Sequence, residues 1–370
     1  MTALPVPDLA DVLAARQRIG PYLRPTPLYR YPALDAMTGA RVRVKHENHQ
    51  PVGAFKVRGG VNLVSQLGPG ERRRGVIAAS TGNHGQSVAY AADLFGVRAV
   101  ICVPERANPV KVESMRALGA EVVFHGRDFD EAREYCEKQA AEHRYRYIHS
   151  GNEPGLIAGV ATCALEILEA WPGTEVIVVP VGGGSGAAGA CVVAKAVRPS
   201  VEVIGVQSRA APAAYRSWRA GSLVEDTTGT IAEGLATRTA FELPQQILRE
   251  LLDDFVLVCD EALKAATRLM IEKTRNLVEP AGAAALAAVL DAPGRFAGRE
   301  VAIVCSGGNI SPAQLFVHGD RRGLVSQERG LNVGRLPPVF LEEPPLSFHR
   351  GLPSAVCARR SARSARVMGR

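Results

Sequence analysis

Several stretches of this chain gather reactive or small polar residues at strand ends, where chemistry can be done. The stretch AFKVRGG (Ala54–Gly60) sets Lys56 between an aromatic ring and a valine-arginine pair, with paired glycines behind. At an ordinary helix start such a lysine is a solvated charge. Beside Phe55, which can cover a flat ring, a desolvated amine with a lowered pKa becomes a Schiff-base nucleophile. In VVPVGGGSGAAGA an apolar strand runs into Gly182, Gly183, Gly184, Ser185 and Gly186 before a helix. Consecutive residues without bulky side chains at a helix N-terminus turn backbone N–H groups and the helix dipole toward an anion, which makes a phosphate cradle; a plain tight turn needs fewer glycines. Gly184, Gly186 and Gly189 also thread a G-x-G-x-x-G pattern with Glu202 following, but no hydride-handling set accompanies it.

A second glycine loop, ASTGNHGQS, crowds Ser80, Thr81, Gly82, Asn83, His84 and Gln86 together where a strand opens into a helix. That mixture of hydroxyl, amide and imidazole suits an anionic substrate group such as a carboxylate, whereas capping alone needs one such residue. A third turn, VCSGGN, ends the last apolar run with Ser306, Gly307, Gly308 and Asn309.

The elements that must hold these loops are legible as an alternation. RVRVK, GVIAAS, RAVICVP, EVVFH and YRYIH are short β-branched runs, interleaved with the helical patterns HGQSVAYAADLFG, NPVKVESMRALGA and DFDEAREYCEKQAAEH. From about residue 155 a second series follows, with strands EVIVVPV, VEVIGVQ and EVAIVCSGG between helices GLIAGVATCALEILEAW, GAAGACVVAKAV, EALKAATRLMIEKTRN and AGAAALAAVLD. Alternation of this kind predicts parallel strands with crossover helices. Two such sheets make a cleft, with ligands at the carboxyl ends of the strands.

Composition narrows the partners. The chain has 370 residues and a net charge of +7, but from His318 onward ten arginines face four acids, so that tail carries +6 of it. The rest is nearly neutral, which removes the argument for a nucleic-acid binder. The tail is rich in Pro, Arg and Ser without a sustained period and is expected to be disordered. No apolar run approaches the roughly 20 residues of a membrane span, and the N-terminus lacks an export pattern, so a cytoplasmic protein with no membrane partner is expected. The seven cysteines form no CxxC pair and sit mostly in apolar runs, as reduced packing residues do; no ligand set for a metal is legible.

KHENHQPVGAFKVRGG resembles the E-N-x-Q-x-T-G-S-F-K-x-R-G segment of fold-type II pyridoxal-phosphate enzymes, in particular the serine/threonine dehydratase (threonine ammonia-lyase) branch. STGNHGQ is similar to that branch's S-x-G-N-H loop, VGGGSG to its phosphate loop, and CSGGN to its serine partner for the pyridine nitrogen. With TIAEGLA (Thr230–Ala236) and EPAGAA (Glu279–Ala284), the ordered motifs span about residues 20 to 315. Val52 and Ala54 stand where the branch commonly has Thr and Ser, and the phosphate loop reads GGGSG in place of GGGGL. These departures bear on substrate preference more than on the chemistry.

The resemblance implies an α/β, two-domain, tryptophan-synthase-β-like architecture, each domain a mostly parallel open sheet flanked by helices. Residues 1–58 and 152–317 would form the large cofactor-binding domain, 59–151 the small substrate-loop domain, and 318–370 the basic tail. It implies pyridoxal 5'-phosphate as cofactor, carried covalently by Lys56, with Phe55 packed on its ring and Asn83 bonded to its phenolic oxygen. Gly182, Gly183, Gly184, Ser185 and Gly186 would hold the phosphate and Ser306 would meet the ring nitrogen. Ser80, Thr81, Gly82 and His84 would grip the carboxylate of an amino-acid substrate. The implied reaction is dehydration and deamination of threonine to 2-oxobutanoate, or of serine to pyruvate, with ammonia released. A homodimer is implied, and a short form without a regulatory domain or isoleucine feedback. The rivals are a serine racemase, for which Thr81 retains a hydroxyl, and a 3-hydroxyaspartate ammonia-lyase, which needs one more cation near the substrate. Further rivals are a catalytically silent pyridoxal-phosphate binder and a dehydrogenase.

Overall fold

The strands are short runs of β-branched residues, and the central ones are buried along their whole length. A computed structural model describes residues 4–312 and 314–315. Its strands are β1 (Leu28–Arg30), β2 (Arg41–His46), β3 (Val76–Ala79), β4 (Ala99–Val103), β5 (Glu121–Phe124), β6 (Arg146–Tyr147), β7 (Val176–Pro180), β8 (Glu202–Ser208), β9 (Asp254–Val258) and β10 (Glu300–Cys305). They form a six-stranded sheet in the order β1-β2-β10-β7-β8-β9 and a four-stranded sheet in the order β5-β4-β3-β6. Every pairing is parallel except β1 with β2. Both sheets lie in one compact unit.

In the larger sheet, Val44, Ile303, Val178 and Ile204 stand in one row across four strands. That row faces the helices Asp260–Thr274 and Pro280–Asp291. The alternate residues Ile177, Val179, Ala302 and Val304 face Pro154–Ala170 and Ser185–Val197 instead. Both faces are therefore covered, as a parallel sheet requires. The smaller sheet divides likewise, with Val76, Ala78, Ile101 and Val103 on one face and Ile77, Ala79, Val100 and Cys102 on the other. Elements the sequence reading did not anticipate include the exposed edge strand β1, β9 and the helices Leu9–Ile19 and Glu242–Leu251. Cys102, Cys136, Cys163, Cys191 and Cys305 are buried free thiols, as expected of packing residues. No helix among the described residues is long and apolar enough to cross a membrane. The expected tail lies outside the described residues.

The helix Lys56–Ser65 packs against two other helices, Asn83–Leu94 and Pro154–Ala170. Its paired glycines are packing devices: a Cβ on Gly59 would stand 2.7 Å from the Leu156 carbonyl oxygen, and one on Gly60 2.7 Å from that of Ser87. Small residues let the helices Pro154–Ala170 and Asn83–Leu94 approach the lysine-bearing helix closely. Two residues past Lys56, the buried Arg58 fastens that helix to the larger sheet. Its guanidinium donates to Glu47 Oε2 at 2.7 Å and to Glu166 Oε1 at 2.6 Å. Lys45 Nζ meets Glu166 Oε2 at 2.5 Å, and Thr26 Oγ1 donates to Glu47 Oε1.

Burial pushes the Glu47 carboxyl upward, but Arg58, Lys45 and Thr26 outweigh it and hold it at about 2. A depressed carboxyl stabilises the fold fully above its unfolded value of 4.5 and loses that contribution as pH falls through 2. Glu47→Gln should cost about 3 kcal/mol at pH 7, because it strips a buried guanidinium of one partner. Urea unfolding at several pH values should show the gap to wild type narrowing from pH 4.5 toward 2; a gap independent of pH would refute the assignment.

Candidate active site

Loops at the carboxyl ends of β3, β7 and β10 converge with the start of the Lys56 helix on one cleft, open to solvent. Every residue given a role from the sequence lines it: Phe55, Lys56, Ser80, Thr81, Gly82, Asn83, His84, Gly182, Gly183, Gly184, Ser185, Gly186 and Ser306.

The Lys56 amine donates to the Ser150 carbonyl oxygen and to Ser185 Oγ, each at 2.9 Å. No acid pairs with it among the described residues, and burial lowers its pKa from 10.5 to about 8. Far more of the amine is thus unprotonated near neutral pH than in an ordinary lysine, the state a nucleophile or base needs. The Phe55 ring centroid lies 5.4 Å from Nζ.

Among the described residues, the backbone amides of Gly183, Gly184, Ser185 and Gly186 have no hydrogen-bond partner in the protein. They open the helix Ser185–Val197. Gly184 has φ +94°, and a Cβ on Gly182 would stand 2.2 Å from the Gly234 carbonyl oxygen, so glycine is required at both. The result is a row of aimed donors suited to a phosphate dianion.

On the facing loop, Ser80 Oγ accepts from the amides of Gly82 at 3.2 Å and Gly85 at 2.9 Å. Its hydroxyl therefore shapes the loop. His84 Nε2 faces the Ile148 carbonyl oxygen at 3.2 Å, and Nδ1 is buried with no partner among the described residues. Burial, with Lys56 nearby, lowers its pKa to about 3 and keeps the ring neutral. With the Nε2 proton committed to Ile148, the imidazole has only a lone pair to offer. Any donation from His84 to a carboxylate falls to its backbone amide at the helix start. Asn83 Nδ2 donates to Glu279 Oε1 at 2.7 Å, while Asn83 Oδ1 accepts from Asn309 Nδ2 at 2.8 Å. Both neighbours fix the amide's orientation and leave its second N–H available. Burial pushes the Glu279 carboxyl above the usual carboxylate range.

Sequence reasoning gave no role to several cleft residues. Glu279 and Glu233 lie in quoted motifs, but nothing local marks them as cleft-lining. Lys111, which pairs with Glu233, and Phe241, whose ring meets His149 edge-on at 4.7 Å, carry no motif at all. Phe241 fills the space a side chain on Gly183 would need, 2.0 Å from its Cβ position.

A half-buried lysine with no acid partner among the described residues, beside a cradle of free amides in a cleft between open α/β sheets, suits a phosphorylated aldehyde held at both ends. The fold and the cleft define an α/β cofactor enzyme. The chain belongs to the pyridoxal-phosphate dependent enzyme family, whose pattern matches residues 19–307. It is 39% identical to the L-threonine ammonia-lyase of Thermotoga maritima, over 87% of this chain and 80% of that one. It is 36% identical to the L-threo-3-hydroxyaspartate ammonia-lyase of Saccharomyces cerevisiae, over 82% and 94%. Among solved structures, a threonine deaminase from T.th. superposes with a TM-score of 0.78 at 38% identity, covering 82% of this chain and 99% of that one. Maize serine racemase superposes at 0.79 with 31% identity, over 85% and 97%.

Proposed function

We propose that the protein eliminates water and ammonia from β-hydroxy amino acids, converting L-threonine to 2-oxobutanoate and L-serine to pyruvate. The observation that carries this reading is the Lys56 amine, unpaired with any acid and lowered to about 8, beside the free amides of the glycine loop. Gly182 to Gly186 would hold the cofactor phosphate, Phe55 and Asn83 would flank its ring, and Ser306 would meet the ring nitrogen. When bound, the cofactor supplies an electron-withdrawing ring conjugated to the substrate's α-carbon. Ser306 would contribute an uncharged hydroxyl there, which favours prompt loss of the β-substituent over a long-lived carbanion. The free amides of Thr81, Asn83 and His84 would orient the substrate carboxylate at a helix start, with Ser80 and Gly82 setting the loop's shape. Lys56 Nζ would remove the α-proton, its lowered pKa leaving more of it as the free base. The stretch 59–151, which carries the four-stranded sheet, would act as the substrate-loop lobe of a cytoplasmic homodimer.

A panel of β-hydroxy amino acids assayed for 2-oxo acid release tests the reading. Threonine and serine should give their oxo acids with equimolar ammonia. Cofactor binding without release of either product would favour a silent binder. Among the described residues Thr81 Oγ1 has no hydrogen-bond partner, and it lines the cleft, so the same panel should be scored for D-serine from L-serine. D-serine forming faster than pyruvate would favour the racemase.

A further inference from the structure

The charged side chains lining the cleft are Lys56, Lys111, Glu233 and Glu279. Once Lys56 is engaged by the cofactor, Lys111 is the remaining cation, and it is already paired. Its buried ammonium, on the helix Pro109–Ala117, meets Glu233 Oε2 on the short turn Glu233–Leu235 across the cleft. The other oxygen, Glu233 Oε1, accepts from Gln314 Nε2 at 3.0 Å. The segment leading into that turn is pinned from the start of the helix Asp260–Thr274, since Asp260 accepts from Thr230 Oγ1 at 2.7 Å and from the Ile231 amide at 2.9 Å. Lys111 lies against the substrate loop: a Cβ on Gly82 would stand 3.5 Å from its Nζ.

Resting on the elimination reading, we infer that Glu233 is a specificity-determining residue that reserves the cleft for hydroxy amino acids with one carboxylate. A substrate with a second carboxylate, such as 3-hydroxyaspartate, needs an unpaired cation next to the loop. It finds Lys111 occupied and meets the charge of Glu233, a repulsive element of the kind that separates similar ligands. Removing the Glu233 charge while keeping its shape frees Lys111 for the second carboxylate.

Wild type, Glu233→Gln and the double variant Lys111→Gln/Glu233→Gln should be compared on L-threonine and L-threo-3-hydroxyaspartate. In Glu233→Gln the kcat/KM ratio of the dianion to threonine should rise about tenfold. The double variant should lose that rise. A ratio unmoved in Glu233→Gln overturns the inference, as does a wild type that already prefers the dianion. Wild type alone gives a reading that needs no variant to fold: malonate should inhibit threonine turnover no more strongly than acetate, and clearly stronger inhibition by malonate overturns the inference. If cofactor-loaded wild type turns over neither amino acid, the elimination reading fails separately. The charge pair is then read by binding, with malonate raising the melting temperature of Glu233→Gln above the effect of acetate, and equal effects overturning the inference.

Discussion

Lys56→Ala should lose about a thousandfold or more in turnover while still folding, because on the proposed reading one residue would serve as covalent anchor and as base. Transient kinetics should place the loss in α-proton removal, visible as failure of the substrate to exchange its α-hydrogen with deuterated solvent. Fold retention follows from the amine's own cost. Lys56 has a pKa lowered from 10.5 to about 8 by burial, so the unfolded chain holds the proton more tightly than the folded one between those values. The cost of the buried cation is full below about pH 8 and is relieved as pH rises to 10.5. The ligand-free variant should therefore match or exceed ligand-free wild type in melting temperature at pH 7, and wild type should catch up through that window. A variant that unfolds at pH 7 would refute this account. Borohydride reduction of the loaded wild type and peptide mapping give the covalent test. Lys45 is tied to Glu166 and Lys111 to Glu233, so only Lys56 among these presents an amine without an acid. A pyridoxyl group on either of the others would overturn the assignment.

Ser185→Asp should weaken cofactor affinity by about a hundredfold or more, since it sets a carboxylate among amides that, on the proposed reading, would face a dianion. Position 185 is the cleaner test. Gly183→Asp would drive a Cβ to 2.0 Å from Phe241, and Gly184 sits at φ +94°, so either change mixes strain with charge. Ser185 already has its Cβ, and its Oγ accepts from Lys56 at 2.9 Å, a bond an aspartate can also accept. Ligand-free stability should thus hold while equilibrium dialysis of the cofactor shows the loss. Ser185→Ala should weaken binding far less. Equal losses in the two variants would mean that charge is not the cause, and unchanged affinity in both would move the phosphate site elsewhere.

The sheets, the loops at their ends and Lys56 were legible in the chain itself. Runs such as VIVVP and AVICV announce strands, and each cluster of small polar residues follows such a run directly. Burial on both faces makes a parallel strand apolar along its whole length, so the signal is local. β1 escaped notice as a three-residue edge strand with exposed side chains, and β9 as a short run flanked by acids. The paired glycines after Lys56 stood out in the sequence, but their purpose did not; only the approach of the helices Asn83–Leu94 and Pro154–Ala170 shows it. The cleft's charge arrangement was likewise decided by the tertiary structure. Asn83 and Glu279 are 196 positions apart, and Lys111 and Glu233 are 122. Periodicity and propensity act over one element at a time, so they fix which residues end a strand or open a helix. Which side chains then face each other depends on how the two sheets pack across the cleft. That packing set Glu233 against Lys111, and with it the charge a substrate meets.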